Sequence, residues 1–249
     1  MEANLRTRAH ELGRMRGIPE AVVDEVLRHL RPSIQLCPFI DDNEVRPAAM
    51  AGGLPRLPEG MEWPDSDHPH LATIDYAALP RDVLDIDLPQ DGHLLVFSDF
   101  DRFDAPVLLY IPAGTETTER EPRVVDEDWP IHAPEPLYPV VARYLDNADW
   151  SDIPGAVEFA EHIPSGERNM NEFIEDLRRF TDDSAGFTRI RLGGHSRYFQ
   201  NPPEDDGLTH FLTVFADPFD QALDLAFAGT REDIAARRYE KLGCYWEAV

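Results

Sequence analysis

Apolar positions recur along this chain at two periods, and the change from one to the other marks out its elements. Over residues 3–16, Leu5, Ala9, Leu12 and Met15 share one stripe of a predicted helix. Gly17 ends that helix, and Pro19 suits the first turn of a second. There Val22, Val23, Val26, Leu27 and Leu30 recur at helical spacing, with Arg28 and Arg31 at the negative C-terminal end. Pro32 stops it. Residues 1–32 therefore read as a helical hairpin whose apolar stripe packs on the body of the chain; the competing reading is an arm that binds a partner helix.

From residue 33 the period shortens. SIQLCPFI (33–40) reads as a strand that Pro38 interrupts or confines to a sheet edge. HLATIDYAALP (70–80) alternates and then turns, and DGHLLVFSDF (91–100) opens on an Asp91-Gly92 turn before a buried strand. PVLLYIP (106–112) is its natural antiparallel neighbour. Residues 113–136 lack periodicity and read as a surface loop or edge segment, and 136–145 resume β or mixed character. Short helices are predicted over 154–164 and 171–180, the latter with Phe173, Ile174, Leu177 and Phe180 on one side. FTRIRLGGHSRYFQ (187–200) starts as a strand and breaks at Gly193-Gly194. THFLTVFADP (209–218) and ALDLAFAG (222–229) form a second strand pair, followed by a helix over 230–242 capped by Thr230. HLATIDY and GHLLVFSD in the first half are echoed by HFLTVFAD and LDLAFAG in the second, as a duplicated β-rich module would require, although hairpins also echo by chance.

Between the hairpin and the first regular strands lies PAAMAGGLPRLPEGMEWP (47–64), too broken for a helix and too apolar for a solvated linker. Its glycines permit close backbone approach, its prolines stiffen it, and Trp63 is an apolar anchor. The expectation is a clamp that closes the sheet with Trp63 buried.

Several of these stretches, in this order, resemble the YwqG-like family of bacterial proteins of unknown function. Gly52, Gly53, Pro55 and Pro58, then Trp63 and Pro64, resemble its diglycine-to-Trp-Pro signature; HLATIDY and the segment around Gly92 resemble its next strands; Gly193, Gly194 and Gln200 resemble a later element. LDLAFAGTREDIAARRYEK resembles its closing strand and helix. The resemblance covers about residues 45–245 and implies an α+β fold with antiparallel sheet, but no reaction. Ala48–Ala51 stand where a Ser/Lys-containing approach is usual, and Thr73 where Gln is expected, so contacts those side chains make in relatives do not transfer. The predicted organisation is a hairpin (1–32) followed by one α+β domain (33–249) of mainly antiparallel β-sheets with peripheral helices and an internal duplication as an open option.

Charge narrows the range of partners. The formal net charge is −25, of which residues 1–46 carry −1 (7 Arg, 8 acids) and the remainder −24 (16 basic, 40 acidic). Nucleic acid and anionic lipid both need clustered cations, so neither is expected as a partner. A basic protein is allowed, and so is plain solubility. The N-terminal residues have no apolar signal core and the chain has no membrane-length apolar run, which with two widely spaced cysteines, Cys37 and Cys244, leads to an expectation of a cytoplasmic protein with reduced thiols.

The candidate chemistry is sparse. Asp99, Asp101 and Asp104 place carboxylates at i, i+2 and i+5, which suits a hard cation, although the EF-hand pattern fails and Asp is a common turn residue. His195 follows the second diglycine and is a candidate general base, with a hydrogen-bonded structural histidine as the plainer reading. His68 and His70 offer an H-x-H pair beside Asp65 and Asp67, in what reads as a polar loop. Glu204-Asp205-Asp206 and Asp182-Asp183 are acidic runs suited to a basic partner or simply to solvated turns. There is no Walker loop, G-x-G-x-x-G, H-E-x-x-H, C-x-x-C or G-x-S-x-G, so no catalytic residue and no cofactor are expected. Two readings stay open: a non-enzymatic interaction module, including an immunity-type protein that neutralises a basic effector, and a small-molecule or divalent-metal binding domain, conceivably an enzyme.

Overall fold

The computed structural model describes residues 2–39, 44–64, 69–98, 106–122, 131–144, 150, 153–182, 188–196, 202–215 and 223–248. The first apolar stripes become α1 (Glu2–Met15) and α2 (Glu20–His29). Leu5, Ala9, Leu12, Val22, Val23 and Val26 are buried, whereas Met15 is 76% exposed. The chain turns at Gly17, and Ile18 folds back with its N–H on the Gly13 carbonyl (2.9 Å) and is buried where Met15 is not. The helix expected over 154–164 is shorter, α3 (Ala156–His162), and a longer α4 (Gly166–Asp182) follows. The stripe of α1 and α2 forms one apolar core with α3 and α4, centred on Leu12, Val26, Phe159, Phe173 and Leu177.

The remainder is a ten-stranded sheet. Its strands are β1 (Arg31–Cys37), β2 (Ala49–Ala51), β4 (His70–Asp75), β5 (His93–Phe97), β6 (Val107–Ile111), β8 (Glu135–Tyr144), β9 (Ile190–Gly193), β10 (Thr209–Val214), β11 (Leu223–Gly229) and β12 (Gly243–Ala248). They lie in the order β12-β11-β10-β9-β1-β8-β2-β4-β5-β6, each pair antiparallel. A separate pair, β3 (Arg56–Pro58) and β7 (Thr117–Glu119), joins the proline-rich stretch to the segment read as a surface loop or edge. The fold is thus α+β with mainly antiparallel sheet.

Two expectations need correction. Of the two readings at Pro38, interruption holds and edge placement does not: β1 ends at Cys37, one residue before Pro38 could remove a ladder bond, and lies mid-sheet between β8 and β9. The helix expected over 230–242 is only α5 (Arg231–Ala235). Thr230 does cap it, accepting from the Asp233 N–H (3.0 Å), but Arg237 adopts a left-handed φ of 60° and stops propagation.

The long strand β8 joins two similar halves, pairing with β1 over 138–144 and with β2 over 135–137. On one side the order runs β2-β4-β5-β6, on the other β9-β10-β11-β12. In each half the first strand ends in a left-handed diglycine, Gly52-Gly53 or Gly193-Gly194. In each, the second strand carries a register irregularity just after its histidine, between His70 and Ala72 or between His210 and Leu212. The echo seen in the sequence is therefore repeated in topology and in local geometry. The sheet curls so that the connection between α5 and β12 reaches β6 and the end of β4: the Arg237 guanidinium lies 5.1 Å from the centre of the Tyr110 ring on β6, and the Tyr76 and Tyr239 hydroxyls form a buried 2.7 Å hydrogen bond.

Candidate functional site

The two histidines of the repeat are its most ordered polar feature. His70 is 5% exposed and His210 fully buried. His70 Nδ1 lies 3.1 Å from the Gly53 carbonyl, and Nε2 lies 3.0 Å from the Thr73 hydroxyl. His210 repeats this with the Gly193 carbonyl (3.0 Å) and Thr213 (2.7 Å). A carbonyl only accepts, so in each ring Nδ1–H donates and a neutral Nε2 accepts from threonine. Burial is the main cause that holds His70 down to about 4 and His210 well below the usual range; Arg191 adds to the effect at His210. Two neutral, doubly bonded imidazoles are structural pins between a diglycine and the next strand. They are not poised bases. His70 thus opens the strand expected over 70–80 and does not belong to the polar loop read around H-x-H.

His195 donates from Nε2 to the His29 carbonyl (3.0 Å), and its own carbonyl accepts from Arg191 Nη2 (2.9 Å), which fastens the second diglycine to the end of α2. It does not meet the 47–64 stretch. β9 and β2 are separated by β1 and β8, and the alternating antiparallel pairings make them run in opposite directions, so the two diglycines lie at opposite ends of the sheet.

The other singled-out positions are built into the frame. Gly52 (φ +65°) has the Ala133 and His132 carbonyl oxygens 2.7 and 2.8 Å from where a Cβ would stand, so only glycine fits that approach. The Gly53 N–H donates to the His132 carbonyl (2.8 Å), the Pro55 carbonyl accepts from the Arg120 N–H (3.0 Å), and Pro58 ends β3. Trp63 is half-buried, edge-on to Phe97 with ring centres 5.6 Å apart, and Pro64 is exposed. The Gly92 carbonyl accepts from the Tyr76 N–H (3.0 Å). Glu204 caps the second diglycine loop by accepting from the Ser196 N–H (2.8 Å) and hydroxyl (2.6 Å), while Asp205 and Asp206 are exposed. Asp99, Asp101, Asp104 and Gln200, together with Asp65, Asp67 and His68, lie outside the described residues. Among the described residues no group of three or more His, Cys, Asp or Glu is placed to hold a metal ion.

The halves differ on one sheet face. Gln35, Arg191 and Thr213 sit directly opposite one another on β1, β9 and β10, all buried. Arg191 also lies over the Phe215 ring at 5.5 Å. In the first half the equivalent row, on β8, β2 and β4, is Pro136, Met50 and Thr73, with an apolar cluster of Leu57, Leu95, Phe97 and Ile111 nearby. The polarity of this row was not anticipated; the run Arg189-Ile190-Arg191-Leu192, apolar on alternate positions only, carries the signal.

A cavity of about 340 Å³ opens where the helical layer meets the sheet. Asn4 and Leu5 of α1, Phe180 and Thr181 of α4, Val141–Arg143 of β8, Pro32 and the loop residues Asp82 and Val83 line it. A smaller one of about 180 Å³ lies on Tyr76 and residues 79–90. No sequence motif marked either.

The sequence model of the family described as Domain of unknown function (DUF1963) matches residues 50–247. The chain belongs to that family. The matched range takes in both repeated halves of the sheet and the α3–α4 pair, and begins after the N-terminal hairpin and β1. Comparison with curated proteins gives no match.

Proposed function

We propose that the chain is a protein-interaction module that engages a basic protein partner, as an immunity-type protein does in neutralising a basic effector. The observation that carries this is how the cations are used. The chain has 23 Lys and Arg against 48 Asp and Glu. Many of the described cations are drawn into pairs with the chain's own carboxylates: Arg6 with Asp24, Arg16 with Asp176, Arg31 and Arg231 with Asp85, Arg168 with Glu172, Arg179 with Glu175, Arg189 with Glu135, and Arg238 with Asp233. The net charge of −25 favours a partner of opposite sign and speeds its approach. The same field disfavours nucleic acid and anionic membrane as partners. No described helix is long and apolar enough to cross a membrane.

Both cysteines are free thiols and Cys37 is buried, which supports a reducing, cytoplasmic compartment. On its diglycine-to-Trp-Pro signature we read the family more narrowly as YwqG-like. The test is native co-purification from the producing cell followed by reconstitution from pure components. The expected result is a stoichiometric complex with a basic protein; a chain that stays alone, or that forms only acidic complexes, contradicts the proposal.

A further inference from the structure

The cavity between α1, α4, β8 and the loop after β4 is a built pocket, and its polar groups are not equivalent. Its walls are mainly apolar: Leu5, Val83, Val141, Ala142 and Phe180. A volume of about 340 Å³ falls within the range of small-molecule sites. Two charged residues line it, Arg143 and the exposed Asp82. Arg143 has other interactions within the protein. Asp82 makes no ion pair and no side-chain hydrogen bond among the described residues, although its neighbours on the loop are heavily tied. Arg81 donates to the Pro89 carbonyl (3.5 Å) and to the Gln90 carbonyl. Asp85 accepts from Arg31 Nε (2.9 Å) and Nη2 (3.2 Å) and from Arg231 Nη2 (3.4 Å). The loop is thereby closed on itself and pinned to β1 and to α5, so Asp82 is presented from a fixed frame. Asp82 also holds a left-handed φ of 56°, a conformation that Asp tolerates better than most residues but that still costs energy.

We propose that this cavity binds a small organic cation: an apolar, preferably aromatic, body against Leu5, Val141, Ala142 and Phe180, with a protonated amine on the Asp82 carboxylate. Three observations converge on that chemistry. The walls fit an apolar body. The uncommitted charged group at the pocket is an anion. The protein's net charge of −25 raises the local concentration of cations and lowers that of anions. This ligand site goes beyond the protein-binding reading above, with which it shares only the net charge.

Calorimetric titration of the intact chain with 4-phenylbutylamine, 4-phenylbutanol and 4-phenylbutyrate tests it. The amine is expected to bind at one site, about tenfold or more tighter than the alcohol, as befits a charge-assisted hydrogen bond added to the same apolar contact. The carboxylate is expected to bind weakest. Asp82→Asn keeps the shape and tolerates the same φ; it should remove the advantage of the amine over the alcohol and leave alcohol binding unchanged. Val83→Trp, which fills the cavity from the loop, should abolish binding of both. Absence of saturable amine binding, equal affinity for amine and alcohol, tightest binding of the carboxylate, or an amine affinity unmoved by Asp82→Asn would each overturn the proposal.

Discussion

Two histidines and two diglycines set the behaviour of single residues here. An exposed histidine titrates near 6.5, but His70 is held by burial at about 4, and His210 is held well below its usual range by the same cause. Between those values the unfolded chain takes up protons that the folded chain refuses, so stability is full above about pH 6.5 and falls as the pH drops toward about 4. His70 alone accounts for a loss of about 3 kcal/mol over that window. Urea unfolding at about pH 7 and about pH 4.5 should show a smaller acid loss in His70→Asn than in the parent chain; identical losses contradict the assignment. Gly52→Ala combines a left-handed φ with backbone oxygens at 2.7 and 2.8 Å and should cost about 2 kcal/mol or more. Gly17→Ala has a similar φ but open space around it, and should cost about 1 kcal/mol. The same unfolding assay separates the two. The diglycines were legible in the sequence as special backbone. Their histidine pins were not, because positions i and i+3 of a regular strand point to opposite faces. The irregularity after His70 and His210 inserts the extra residue that turns His and Thr to the same side, and nothing in H-x-x-T announces it.

At the scale of elements, the sequence was most informative where apolar runs were short and bounded. β4, β5, β6, β10 and β11 follow the predicted stretches, and the neighbour pairing of β5 with β6 and of β10 with β11 is as expected. It was least informative about placement. β1 looked peripheral because of Pro38, yet long-range pairing with β8 and β9 puts it mid-sheet. α5 looked long because its apolar positions continue, yet one left-handed residue, Arg237, ends it. The loop over 79–90 carried no motif, and its order comes from partners distant in sequence. Burial opposes ionisation of Asp85, but hydrogen bonds and charge from Arg31, then Arg231, outweigh it and hold the carboxyl below its usual range. Asp85→Asn should therefore loosen the loop: amide exchange over 79–90 rises severalfold while β1 stays protected. Unchanged exchange in the loop would contradict the pinning role.

Across the whole molecule, one curled sheet of two similar halves carries a helical layer made from its N-terminus and from the segment between β8 and β9. The halves diverge on the sheet face, where Gln35 and Arg191 on β1 and β9 face the places that Pro136 and Met50 take on β8 and β2. Such divergence frees a repeat to keep one half as frame while the other changes chemistry. Over this frame lies a charge of −25, and many of the described cations are already paired internally. The central claim, that this field exists to meet a basic protein, is tested most directly by the association rate with the co-purified partner as salt is raised from about 25 to about 300 mM. The account predicts a fall of about tenfold or more, with dissociation changing far less. An association rate that does not respond to salt would contradict it.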